Sequence, residues 1–235
     1  MGLGATALVV SLIGATATFV VGLLNYRRQG QTIALQQEYQ VRQVELLYSA
    51  QVADRFNRAV AHLGSDNLHL RLGGIYALEW IARDSPEHRQ YVAATLAAFI
   101  RTSLPTDKIG VGGAVPILRL HKADAQAALT VVCRSPVADA GPVDLSRTDL
   151  RRAYLRDALL EGADLYASRL EGSDLRGARL VGSSLKEANV GRVDSGNPAF
   201  RKGTDLRGAD LTGAEFGRLY NADQAVTDAT TRGWP

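Results

Sequence analysis

From Leu145 onward an apolar residue recurs at every fifth position. Leu145, Leu150, Leu155, Leu160, Leu165, Leu170, Leu175, Leu180, Leu185 and Val190 keep the spacing without a break. After an interruption Leu206, Leu211 and Phe216 resume it, so thirteen units are in all recognisable. Two positions before each stands a small residue in nearly every case: Val143, Thr148, Ala153, Ala158, Ala163, Ser168, Ser173, Ala178, Ser183 and Ala188, then Thr204, Ala209 and Ala214. Neither a helix, with a period of about 3.6, nor a flat strand, with a period of about 2, repeats at five. A short fixed period means that each unit cannot bury its own side chain and stacks on the next turn of chain. Two inward positions in five suit a chain that turns a corner at every unit, with the large residue filling the centre. Glycines two positions after the apolar residue, such as Gly162, Gly172, Gly177 and Gly208, supply permissive dihedrals at those corners.

Upstream the pattern is helical. Val41, Val44, Tyr48, Val52, Phe56, Val60 and Leu63 form a stripe at three- to four-residue steps, predicting one long helix over Gln31 to Leu63. Gly64-Ser65-Asp66 stops it and offers a new N-cap. Leu72, Ile75, Leu78 and Ile81 place a second helix over Leu68 to Ala82, and Tyr91 to Ile100 reads as a third. These three predict a small helical bundle. Glu79, set among apolar residues beside Trp80, is expected to pair with Arg71 or Arg83. Leu104 to Pro116 reads as a linker.

The first 26 residues carry no charge. Leu3 to Leu24 is an apolar run long enough, at about 1.5 Å per residue, to span a hydrocarbon core of roughly 30 Å. Tyr26, Arg27 and Arg28 follow as membrane-flanking residues. The expectation is a single-pass transmembrane anchor with its N-terminus outside and the remainder in the cytoplasm, since the arginines lie on its C-terminal side. Gly14, Thr18 and Gly22 form a small-residue face on which this helix could pack against another.

Composition changes this picture little. The net charge of +3 comes from residues 1–140, with 13 Lys and Arg against 10 Asp and Glu; the rest carries 14 of each. Cys133, the only cysteine, excludes an intramolecular disulfide and reads as a small buried hydrophobe in a reducing compartment. No catalytic constellation is found. His62, His69, His88 and His121 are scattered without metal-ligand spacing. Gly110-Val111-Gly112-Gly113 lacks the lysine and helix of a phosphate loop. Asp before the repeat leucines is read as surface pairing with arginine. No catalytic, cofactor-binding or metal residue is assigned.

The units Gly162-Ala163-Asp164-Leu165, Gly208-Ala209-Asp210-Leu211 and Gly213-Ala214-Glu215-Phe216 resemble those of the pentapeptide repeat proteins. The resemblance implies a right-handed quadrilateral β-helix, with four pentads to a coil and hydrogen bonds between coils. The stretch from Arg55 to Arg101, with Arg71-Leu72-Gly73-Gly74, and a fourth helix over Asp124 to Val132 resemble the helical module that precedes the repeats in membrane-anchored bacterial members. That fourth helix would cover the open end of the coil. Tyr220 and Trp234 would cap the other. The fold class expected is therefore α+β and multi-domain: anchor (1–28), stalk helix and bundle (29–103), linker and capping helix (104–140), β-helix (141–219) and C-terminal cap (220–235).

The architecture points to a non-enzymatic, membrane-tethered scaffold that offers the β-helix to an unidentified cytoplasmic protein. Its expected partners are the lipid bilayer, that protein and, through the small-residue face, a second copy of itself. Some pentapeptide repeat proteins mimic the DNA duplex and bind type II topoisomerases; that activity needs a strongly acidic rod, and these repeats are neutral. A third reading is an accessory subunit of a membrane assembly that acts through its transmembrane helix. Nothing in the chain calls for nucleic acid or a cofactor.

Overall fold

The computed structural model describes residues 22, 38–108, 115–134, 141–193 and 203–235. The chain divides into two compact units, Met1–Ala53 and Asp54–Pro235. In the first, residues 38–53 are helical, and Val41, Val44 and Tyr48 are exposed.

The expected fold class is corrected on its first element. Among the described residues no helix is long and apolar enough to cross a membrane. The described helical stretch from 38 to 58 carries Glu38, Arg42, Glu45, Asp54, Arg55 and Arg58, charges that a hydrocarbon core would not accept. The transmembrane helix and the single-pass placement in the cell membrane that rested on it are withdrawn. Of the residues singled out there, Gly22 is described, in a helical conformation; Gly14, Thr18, Tyr26, Arg27 and Arg28 lie outside the described residues.

The second unit opens with helix α1 (54–63), followed by α2 (Leu68–Asp84), α3 (Arg89–Ser103), a short α4 (Leu118–His121) and α5 (Ala123–Arg134). Asn67 caps α2, its side-chain oxygen accepting from the His69 N–H at 2.8 Å. Apolar residues at helical spacing then meet in one core: Ile75 and Leu78 from α2, Leu96 and Ile100 from α3, Ala125 and Leu129 from α5. α1 lies close against α2 because Gly74 has no side chain; a Cβ there would stand 2.6 Å from the Ala59 carbonyl oxygen. Arg71 leaves α2 to meet the buried Asp124 of α5 at 2.5 Å and also donates to the Ser65 and Asp66 carbonyls, tying three segments together. Glu79 pairs instead with Arg83, at 3.4 Å.

The repeats wind as a four-sided coil without a continuous strand. Each pentad contributes one bridged residue, and these stack in four columns. Asp144, Asp164, Ser184 and Glu215 form the first side; Asp149, Arg169, Asn189 and Tyr220 the second. Tyr154, Asp174, Asp205 and Val226 form the third, and Leu159, Arg179, Asp210 and Arg232 the fourth. Successive bridged residues are 20 positions apart, or four pentads, which sets neighbouring coils at the usual inter-strand spacing of roughly 4.8 Å. The exceptions are the steps that cross the interruption, from Asp174 to Asp205, Arg179 to Asp210, Ser184 to Glu215 and Asn189 to Tyr220, each of 31. The last two, from Asp205 to Val226 and Asp210 to Arg232, are of 21 and 22. The interruption after Val190 is therefore absorbed between the second and third sides of one coil, and the ladder resumes in register beyond it.

Both ends of the coil are covered. At its first turn four different groups of the helical layer meet the four open sides. Arg101 binds the Asp144 carbonyl at 2.6 Å. On the second side Leu104 to Thr106 add an antiparallel bridge, with Asp149 N–H to Leu104 O at 2.7 Å and Thr106 N–H to Arg147 O at 3.2 Å. On the third, the Gln126 side chain stands in for a peptide group, accepting from the Tyr154 N–H at 2.9 Å and donating to its carbonyl at 2.8 Å. On the fourth, the Leu159 N–H reaches the Cys133 carbonyl at the end of α5, at 2.8 Å. At the last turn Trp234 meets Phe216 edge-on, ring centres 5.7 Å apart.

Candidate interaction surface

The outward side chains of the coil follow from its corners. After each inward leucine the chain turns, and the residue two positions on adopts a left-handed conformation. Gly162, Gly172, Gly177, Gly182, Gly208 and Gly213 do so with φ between 65° and 71°. Arg147, Arg152, Asp157, Ala167 and Glu187 do so without the glycine advantage. The residue before the leucine closes the same corner: an Asp or Asn oxygen accepts the N–H two positions later. Asp164 takes that of Tyr166 at 2.8 Å, Asn189 that of Gly191 at 3.1 Å and Asp210 that of Thr212 at 3.0 Å.

On the second and third sides arginine completes this turn. Arg151 forks onto Asp149 with both contacts at 2.7 Å, Arg176 onto Asp174 at 2.7 and 2.5 Å, and Arg207 onto Asp205 at 2.9 and 2.7 Å. The Arg207 fork holds the Asp205 carboxyl below the usual carboxylate range. Asp174 is also held low: partial burial pulls it up, but hydrogen bonds from the Arg176 side chain and backbone outweigh that. The Thr212 hydroxyl does the same for Asp210 and the Thr230 hydroxyl for Asp228. Among the described residues of the coil one carboxylate is deeply placed. Glu171 is 4% exposed, bound by Arg169 at 2.9 Å and by the Asn189 amide at 3.0 Å. Asn221 extends this ladder by donating to Asn189 at 3.0 Å.

Among the described residues, two grooves lie where the helical layer meets the first coil. The larger, about 580 Å³, is lined by Leu104, Pro105, Leu118 and Lys122 and also contains Ser103, His121 and Asp149. These last three form no nucleophile–base relay. The Asp149 carboxylate is occupied by Arg151, and no hydrogen bond joins Ser103 to His121. The smaller groove, about 360 Å³, is bordered by Arg119, Arg152, Tyr154 and Asp174. Among the described residues no group of three or more His, Cys, Asp or Glu is arranged to hold a metal ion. Burial pushes the Cys133 thiol up to about 12, so it stays protonated.

The repeat residues singled out in the sequence line the axis of the coil. Leu145 through Leu185, Val190, Leu206 and Leu211 are all buried, and Phe216 is half-buried beneath Trp234. The family model for pentapeptide repeats matches eight copies here, over residues 144–182 and 164–194. The chain belongs to the pentapeptide repeat family. Solved pentapeptide repeat proteins are similar to it over this region. The protein alr5209 from Nostoc PCC 7120 is 30% identical, with 41% of this chain and 78% of that one covered and a TM-score of 0.26. Rfr23 from Cyanothece 51142 is 29% identical over 41% of this chain and 67% of that one, TM-score 0.20. HetL, involved in heterocyst differentiation regulation in Nostoc sp. strain PCC 7120, is 27% identical over 37% and 46%, TM-score 0.20. No curated protein matches the chain.

The sequence placed a helix over the open end of the first coil, and α5 lies there, but the individual groups that seal that coil gave no signal. Gln126 looks like any helix residue, and Arg101 like any surface cation. Only the polarity of Gln126 beside Ala125, Ala127, Ala128 and Leu129 could have drawn attention to it.

Proposed function

We propose that this protein is a non-enzymatic scaffold that presents its β-helix to a protein partner. The observation that carries the reading is how the outward side chains are held. Asp, Asn and Arg are bound within their own corners, so each side offers a fixed periodic surface and no convergent reacting groups. Fixed side chains lose little entropy on binding, which favours recognition by shape and charge. The outward carboxylates are matched by arginines, and this balance opposes the acidic surface that DNA mimicry requires.

Photo-crosslinking tests the reading, with a crosslinking amino acid placed in the full chain on each side in turn: at Tyr166, Tyr220, Arg156 and Val181. In native cells the expected result is a discrete protein adduct from one or two neighbouring sides, with none from the others. Equal, diffuse labelling from all four sides would refute a specific scaffold.

A further inference from the structure

Along α2, His69, Gly73, Tyr76, Trp80 and Asp84 fall on one face, at steps of four, three, four and four residues. It is the face turned from the core: Ile75, Leu78, Ile81 and Ala82 are buried on the other side, while Tyr76 is 53% and Trp80 61% exposed. A tryptophan so exposed next to a tyrosine is the composition of an interface centre.

Gly73 adds an independent observation. Glycine weakens a helix interior relative to alanine. At Gly74 the close approach of Ala59 accounts for it, but a Cβ at Gly73 would meet nothing within 4 Å. No described part of the chain needs that position empty. It leaves a notch in the helix surface, on the same face as the two aromatics and two turns from Trp80.

We propose that this face packs against the same face of a second copy, the two α2 helices running antiparallel about a two-fold axis between Tyr76 and Ala77. In that arrangement positions equidistant from the axis oppose one another. Trp80 of each copy enters the notch at Gly73 of the other, and His69 of each faces Asp84 of the other. Bulk meets notch and imidazole meets carboxylate at both ends, so the face is complementary to itself, as an isologous contact must be. That self-complementarity selects a second copy over an unrelated partner. One helix face covers less than the about 800 Å² per partner of a standard interface. The dimer is accordingly weak, with a Kd in the micromolar range, the weak end for a standard interface.

Sedimentation equilibrium of the full chain from about 1 to about 200 μM reads this association across the expected Kd. Trp80→Ala should weaken it at least tenfold. Gly73→Ala distinguishes an interface from a purely structural position: the melting temperature of the dilute chain rises, because alanine favours the helix, while association weakens as the notch fills. Ala77→Cys, beside the axis, should form disulfide-linked dimers under mild oxidation several-fold faster than Gln90→Cys on α3, the native Cys133 being buried. A chain that stays monomeric throughout overturns the proposal. So does a dimer unaffected by either Trp80→Ala or Gly73→Ala, or equal cross-linking from the two introduced cysteines.

Discussion

At the scale of single residues, the coil is governed by what fits inside it and what closes its corners. The inward small position holds serine whether or not its hydroxyl finds a partner. Ser183 donates to the Leu180 carbonyl at 2.8 Å, but the buried hydroxyls of Ser168 and Ser173 have none. Ser173→Ala should therefore stabilise the protein by about 1 kcal/mol in urea unfolding, since an unsatisfied buried hydroxyl is removed. Gly203 lies at the opposite extreme. A Cβ there would overlap the Gln224 carbonyl oxygen, which is backbone and cannot swing aside. Gly203→Ala should cost about 3 kcal/mol by the same measurement, the upper range for overpacking. The inward leucines were legible from their spacing alone. The role of the aspartates was legible only in part: pairing with arginine was expected and is found at Asp149, Asp174 and Asp205, but that an oxygen also accepts its own corner N–H was not. That bond exists only once the chain has turned, and spacing does not reveal it.

At the scale of elements, the helices follow their apolar periodicity closely. The second and third were expected over Leu68 to Ala82 and Tyr91 to Ile100; they run over Leu68–Asp84 and Arg89–Ser103. The segment from Leu104 to Pro116 reads as a linker because of its glycines and prolines, yet Leu104 to Thr106 pair with the first coil. An edge strand of three residues is too short to show a period. The seal on the third side rests on one side chain, Gln126. Replacing it with leucine would keep the helix and its bulk but strand the Tyr154 N–H and carbonyl. Gln126→Leu should destabilise by roughly 2 kcal/mol or more. Faster hydrogen exchange at Tyr154 than at Asp174, one coil away, would locate the effect. Equal exchange at the two would show that the amide does not seal the coil.

At the scale of the whole molecule, the repeated carboxylates link folding to pH. Asp174, Asp205, Asp210 and Asp228 all sit below their ordinary values in the folded chain. The unfolded chain, with carboxylates near 3.9, therefore binds protons first as pH falls. The stability they contribute is present in full above the unfolded range and is lost progressively as pH drops through the folded values. Urea midpoints should hold from pH 7 to about 5 and fall steeply below about 4. Asp205→Asn should flatten that fall, and an unchanged acid limb in that variant would remove Asp205 from the linkage. Arg71 and Asp124, 53 residues apart, join the helical layer at this same scale. Helical spacing offered Arg83 as the partner of Glu79, and no local pattern pointed to Asp124.

The sequence by itself determined the period of the coil, the residues on its axis and the helices before it, because burial of apolar side chains at a regular spacing is a local property. The tertiary structure alone decided how the first coil is sealed and which aspartates hold corners. It also decided that the interruption after Val190 falls between the second and third sides, and that α2 keeps Tyr76 and Trp80 outside. Those outcomes depend on backbone groups and side chains far apart in the chain meeting within hydrogen-bond distance, and spacing along the sequence carries no record of such meetings.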